Sequence, residues 1–311
     1  MSDPILHIKD GYFFQFPRRW ITYDWHSLAD VPLYVRADHP EIKNVHVFNE
    51  AMAGKWLIPQ WFGTPKTLFQ PGTGLCISKF MIIELLVALI MAVVFIRLAT
   101  RARDGERPRG TIWNMLEAFL VYLRDTVIRP SIGEHDADRY VPLLWTMFFF
   151  ILGCNLMGLV PWLGSPTAAA SVTLALAIVI FATGIVMGIA KLGPLGWIGH
   201  FVPHMDIMLL LKIPLWLAIF GLEIWGTLVK HAVLGIRLLA NMVAGHLVLL
   251  GILGIITAMS AAGLAQFSGV SLIVVIGSVL LDCLELFVAF LQAYVFVFLS
   301  AIFIGASIHS H

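Results

Sequence analysis

Apolar residues in this chain fall in long blocks separated by short polar breaks. The first block, FMIIELLVALIMAVVFIRLA at 80–99, contains a single acid, Glu84. Its length matches the ~20 residues that cross about 30 Å of hydrocarbon as a helix. Two further blocks, 141–162 and 171–191, are joined through the short turn LGSPT and predict a helical hairpin. A run from Met208 to Met259 follows, then the break SAAGLAQFSG at 260–269, and a last run over 270–308. Residues 1–78 hold no block long enough to span; they mix Phe13, Phe14, Trp20, Trp25, Trp56 and Trp61 with prolines and both charge signs. The pattern divides the chain into an extramembrane N-terminal region, 1–78, either partly docked on the membrane surface or a small structured cap, and a membrane domain, 79–308.

One segment reads differently. In TIWNMLEAFLVYLRDTVIRP, 111–130, Ile112, Leu116, Phe119, Leu120, Leu123 and Val127 recur at helical spacing against Asn114, Glu117, Arg124 and Asp125. Such a stripe predicts a helix lying in the membrane interface rather than a span. The fold expected is an all-α polytopic membrane protein. It has one N-terminal span, an interfacial amphipathic helix, a helical hairpin and two long antiparallel C-terminal helices. A helix over 208–259 would be about 75 Å long, so it must tilt, bend or break, with Pro214 and Gly221 as candidate bends.

Composition agrees: 59% of residues are hydrophobic and 13% charged, against about 25% charged in soluble domains. The net charge of +1 argues against a nucleic-acid partner, which needs a basic excess. Cys76, Cys154 and Cys283 have no metal or disulfide spacing. His200 and His204 stand at i, i+4 with no third ligand evident, so neither a metal nor a cofactor is expected. The start, MSDPILHIKDGYFF, lacks the basic and apolar regions of a signal peptide, and insertion falls to the first span. Arg97, Arg101, Arg103, Arg107, Arg109, Arg124, Arg129 and Arg139 lie between the first two spans, while the turns at 163–170 and 260–269 carry no Lys or Arg. The positive-inside rule then puts the C-terminus in the cytoplasm and the N-terminus outside. Eight basic residues in 1–79 are spread over a longer stretch, where that rule weakens.

From residue 213 onward the formal charges are Glu223, Lys230, Arg237, Asp282 and Glu285. The first three are a heptad apart, and a heptad drifts only ~20° on a helix, so they form one stripe. Asn241 joins it, four residues past Arg237. Intramembrane charges mark ion routes, relays or paired interiors; an arginine near a helix end would simply snorkel. Arg237 has more than twenty mostly apolar residues on each side, which disfavours snorkelling. His246, nine residues on, points about 180° away from the stripe. If 260–269 is a turn, His246 falls at the depth of Glu285 and Arg237 at the depth of Gln292. His246 and Glu285 then form either a proton relay or a structural hydrogen-bonded pair. Asp282 reads as structural, and Lys230 either lines a polar path or balances Glu223.

GIRLLANMVAGH (235–246) closely resembles the signature of subunit a of F-type ATP synthases, the stator that carries protons past a rotating ring of c subunits. FILGCNLMGLVPW with SPTAAASVTLALA resembles that family's hairpin, HFVP its lead-in, and ELFVAFLQAYVFVFL its last helix, so the likeness covers about 80–308. The resemblance carries the family's essential arginine onto Arg237, its asparagine onto Asn241, its last-helix glutamine onto Gln292 and an acid onto Glu223. It makes His246 and Glu285 an acid–histidine pair in the order of mitochondrial members. Asp282 and the aromatic N-terminal region are departures. The resemblance implies two offset half-channels to c-ring carboxylates, separated by Arg237, and two C-terminal helices strongly tilted against the ring. It also implies a non-catalytic channel subunit, in a bacterial inner membrane rather than an organellar energy-coupling one, with the c-subunit ring, the b-subunit peripheral stalk, other ATP synthase subunits and the lipid bilayer as partners. Buried acid, Arg and His also mark ion-coupled secondary transporters and channels, though no repeat relates the two halves. A membrane hydrolase finds no HExxH or GxSxG motif.

Overall fold

The structure is a computed structural model that describes residues 10–60, 62–64, 73–103, 110–160, 163–200, 209–258 and 264–308. Two-residue alternation, too brief to register in a chain of long blocks, builds its first element. β1 (Phe13–Gln15) pairs antiparallel with β2 (Lys55–Leu57), with Phe14 opposite Trp56 and Phe13 opposite Leu57. Because side chains alternate across a strand, the ribbon has two apolar faces. Phe13 and Leu57 pack with Tyr12, Val31, Val35, Phe48 and Met52 beneath two short helices, α1 (Leu33–Asp38) and α2 (Val45–Met52). Gly54 closes the ribbon at φ +82°, where a Cβ would meet the Phe16 carbonyl oxygen at 2.6 Å; glycine alone fits. The Tyr12 hydroxyl donates to Asp38 Oδ2 at 2.7 Å, and burial together with that carboxylate pushes its pKa up. A second small hairpin joins β3 (Phe62–Thr64) to β4 (Thr73–Leu75).

The other face of the ribbon meets the first long helix, α3 (Lys79–Arg103). Phe14 and Ile58 pack with Phe80, Ile83 and Val87 of α3 and with Cys154. The Lys79 N–H donates to the Gly11 carbonyl at 2.8 Å, tying the start of α3 to the strand. Further along, α3 is sparsely covered, with Leu89 60% and Ile96 62% exposed.

The interfacial segment forms as expected, with two differences. It is α4 (Thr111–Tyr122), a π-helical stretch at Leu123–Ile128 and α5 (Arg129–Ile132), not one uniform helix. It also packs against protein: Trp145 Nε1–H donates to the Leu120 carbonyl at 3.1 Å, and the Phe119 ring centroid lies 5.3 Å from that of Phe290. Leu120, Leu123 and Val127 are buried as the stripe predicts, while Ile112 is 67% exposed. Four long helices complete the chain: α6 (Glu134–Leu159), α7 (Ala170–His200), α8 (Leu209–Ala258) and α9 (Leu264–Ile308). α7 kinks at Gly193, φ 73°, just before Pro194. Leu144, Phe148 and Ile151 of α6, Ile180 of α7, Leu234 and Leu238 of α8, and Phe296, Ala301 and Ile304 of α9 make one core. Arg129 pairs with Asp138 at 3.1 Å, and Lys191 with Asp136, tying α5, α6 and α7 together at one end.

Five helices among the described residues are long and apolar enough to cross a membrane, the last two being 214–252 and 268–308. The chain is a multi-pass membrane protein. α8 runs unbroken through Pro214 and Gly221, so of the three ways to fit its length, breaking is not the one used. Its 50 residues reach about 75 Å; crossing about 30 Å of hydrocarbon then needs steep tilt, curvature or both.

Candidate functional site

α8 buries His231, Leu234, Leu238 and Met242 against its neighbours, which is the 3.6-residue period of a packing face. The charged stripe lies on the flank of that face rather than within it. Glu223 and Lys230 are exposed, Arg237 and Asn241 half-buried. Gln292, on α9, is also half-buried. Among the described residues no ion pair or side-chain hydrogen bond engages Glu223, Lys230, Arg237, Asn241 or Gln292. A guanidinium keeps its charge at any accessible pH, and exposure to hydrocarbon costs it about 2.5–3.5 kcal/mol or more. This flank is built to meet something polar.

His246 and Glu285 behave differently. The antiparallel run of α8 and α9 brings His246 Nδ1 to 2.9 Å from Glu285 Oε1, with both side chains nearly buried. His246 Nδ1 also lies 3.0 Å from the Met242 carbonyl, and Nε2 lies 3.2 Å from the Gly158 carbonyl at the end of α6. Both ring nitrogens therefore face oxygen: Nδ1 a carboxylate with which it can exchange a proton, and Nε2 a peptide carbonyl that only accepts a hydrogen bond. Gly245 makes room for this approach, since a Cβ there would sit 2.8 Å from Glu285 Oε1. Asp282, three residues before Glu285, is exposed, and no ion pair or side-chain hydrogen bond engages it among the described residues.

A second polar group adjoins the pair, and sequence reasoning passed over it. Asn155, fully buried on α6, donates to the Ala289 carbonyl at 3.1 Å and accepts from Thr167 Oγ1 at 2.7 Å; Thr167 in turn lies 2.8 Å from Ser165 Oγ. The signal was present, as Asn155 is the lone amide in the block FFFILGCNLMGLV. His231 follows Lys230 on α8. It is buried, with Nδ1 2.8 Å from the Thr227 carbonyl and its ring between Phe181 and Phe303, 5.1 and 4.7 Å away. The HFVP lead-in and the His200–His204 pair fall outside the described side chains, and the described residues hold no cluster of three metal-ligating groups.

This arrangement can be compared with known proteins. The family model described as ATP synthase A chain matches residues 81–305, from the first span to the last. The chain belongs to the ATP synthase A chain family. ATP synthase subunit a of Anaeromyxobacter dehalogenans (strain 2CP-1 / ATCC BAA-258) is 42% identical over 204 residues, covering 66% of this chain and 50% of the relative. The Myxococcus xanthus (strain DK1622) subunit a is 37% identical over 240 residues, 76% of this chain and 75% of the relative. That of Anaeromyxobacter sp. (strain Fw109-5) is 33% identical over 306 residues, 98% of this chain and 70% of the relative. The chain thus spans half the length of the first of these and about three quarters of the others. The His246–Glu285 pair and the Arg237 stripe both fall inside the part that matches the ATP synthase A chain family.

Proposed function

We propose that the chain is the proton-translocating stator subunit of an F-type ATP synthase membrane sector. It does no catalysis itself and works in a complex with a c-subunit ring, the b-subunit stalk and other subunits. The observation that carries this reading is Arg237: a permanent cation, half-buried in mid-helix, with no counter-charge among the described residues. A carboxylate on another subunit would supply it.

On this reading a proton arrives from the outer side of a bacterial plasma membrane, where Asp282 faces the mouth of the path, and passes by Glu285 and His246. Asn241 and Gln292 line the way to a c-subunit carboxylate. Once neutral, that acid enters lipid without the penalty of a charge. After nearly a full rotation it reaches the flank of Glu223 and Lys230 and gives its proton to the cytoplasm. Arg237 separates the two paths, because its charge attracts the emptied carboxylate and repels a proton moving straight across. The arginine bias of the loops supports the orientation, N-terminus outside and C-terminus cytoplasmic.

The test is to reconstitute the assembled complex in vesicles, with cysteine at Lys230 or Asn241. Proton flux coupled to ATP, and disulfide cross-links from those cysteines to cysteines on the c subunit, are expected. Ion-driven solute uptake with neither would favour a secondary transporter.

A further inference from the structure

The β1–β2 ribbon buries one part of its second face and leaves another bare. Phe14 is 8% exposed, held with Ile58 against Phe80, Ile83 and Val87 of α3. Trp56, directly opposite Phe14 in the ladder, shares its face and is 59% exposed. The Phe14 and Phe16 rings each lie 6.3 Å from Trp56, and Phe16 stacks 6.4 Å from Trp20, itself 68% exposed. Arg18 and Arg19 precede Trp20, are exposed, and take part in no ion pair among the described residues.

Position decides what this ridge meets. Phe14 is seated on the first three turns of α3, so the ribbon lies at the height where that helix enters the membrane. The same turns of α3 present Met81, Leu85 and Leu86, 45%, 72% and 40% exposed. Trp56 shares the face of Phe14 that packs on this lipid-length helix, and Arg18 and Arg19 stand next to Trp20 in the chain. Tryptophan favours the headgroup level, its apolar body in the acyl boundary and its N–H toward water, and guanidinium suits phosphate. We propose that the Phe16–Trp20–Trp56 ridge inserts into the phospholipid headgroup layer beside α3, with Arg18 and Arg19 on lipid phosphates. Residues 10–60 would then be anchored to the bilayer at two places, the start of α3 and this ridge. The proposal rests on the membrane spans alone and not on the proton-transfer reading.

Leu33 provides the control. It is 74% exposed and apolar, but it belongs to α1, which covers the opposite face of the ribbon. Spin labels at Trp56→Cys and, separately, Leu33→Cys would be read in the full assembled complex in vesicles of mixed zwitterionic and anionic phospholipid. At position 56 collisions with oxygen should exceed those with a water-soluble nickel chelate several-fold, and at 33 the order should reverse. The Trp20→Phe, Trp56→Phe double variant should lose part of the tryptophan quenching caused by brominated phospholipid. Chelate collisions dominating at 56, shielding from both reagents there (a protein neighbour), or unchanged bromolipid quenching in the double variant would each overturn the proposal. Proton flux unaffected by these changes leaves it standing, since no step of transport uses the ridge.

Discussion

Residues 10–60 and the α8–α9 pair treat their polar groups in opposite ways. In the N-terminal unit the polar side chains at the joints find partners within the chain. Asn49 exchanges two hydrogen bonds with the Trp25 backbone, Gln60 does the same with Ile77, and Tyr12 holds Asp38. On α8, Arg237 sits mid-helix with no partner among the described residues, beside exposed Glu223 and Lys230. The first region meets these joints from within the chain, although Gln15 Oε1 and Arg36 Nε lie buried without a partner among the described residues; on the proposed function the second is half of an interface. Unmet polar groups cost most where water is absent. On the proposed function the unmet charge of α8 awaits another subunit, while the paired joints of 10–60 serve its own fold.

The sharpest way to break this contrast is Arg237→Ala. On the proposed function it should abolish ATP-coupled proton transport in both directions while the complex still assembles and residues 10–60 keep their fold. Vesicle pumping and synthesis assays on the purified complex check this. Coupled synthesis by an assembled Arg237→Ala complex would mean that the unpaired cation has no transport role. Arg237→Lys should also be poor, because the planar fork is lost.

Next come His246 and Glu285. His246→Ala or Glu285→Ala should slow proton uptake by about 100-fold or more, the usual worth of a positioned proton-transfer group. The exchanged double variant, His246→Glu with Glu285→His, should recover part of the rate. A swap no faster than the slower single variant would reduce the pair to a packing contact.

Much of this site was legible in the sequence, for identifiable reasons. A charge in hydrocarbon stands out because it costs so much, so Glu223, Lys230, Arg237 and Glu285 announced themselves, and heptad spacing placed the first three on one side. Counting back from an assumed turn put His246 level with Glu285, and the 2.9 Å contact bears that out. Neutral polar groups were harder to read. Asn155 and Thr167 carry no charge, and their link depends on how the turn after α6 folds back. The ribbon was hidden too, because three-residue strands give too few alternations to stand out among aromatics. Likewise, continuity of α8 through Pro214 could not follow from its length alone.

A finer probe of the pair is Gly245→Ala. The added Cβ would fall 2.8 Å from Glu285 Oε1, so the carboxylate must move while both titrating groups remain. A displacement of this kind should slow uptake by about 10-fold, less than deleting either group, since misplacement by about 1 Å can cost up to 100-fold. The variant should keep its assembly and its stability close to normal. An unchanged rate would mean that the geometry of the carboxylate is not what the path depends on.

The smallest expected effect lies in the self-contained region and tests its side of the contrast. Tyr12→Phe removes the bond to Asp38 and should cost residues 10–60 about 1–2 kcal/mol of local stability. Hydrogen exchange at the backbone amides of β1 and β2 in the intact complex would measure it. The pH dependence has a definite sign. Burial first, and the Asp38 carboxylate second, hold the Tyr12 hydroxyl above its ordinary pKa of 10.0. On raising the pH, the opened unit therefore ionises before the closed one does. The stabilisation is complete below pH about 10, the ordinary tyrosine value, and is lost as pH climbs from there toward the raised value of the folded form. Tyr12→Phe should lack that alkaline decline while already being weaker at neutral pH. Proton transport at neutral pH should be unchanged, because the tyrosine belongs to the layer under α1 and α2, on the face of the ribbon turned away from α3. Transport that falls in step with the local stability would show that the N-terminal unit is coupled to the path, and the division between a self-sufficient region and an unfinished one would have to be redrawn.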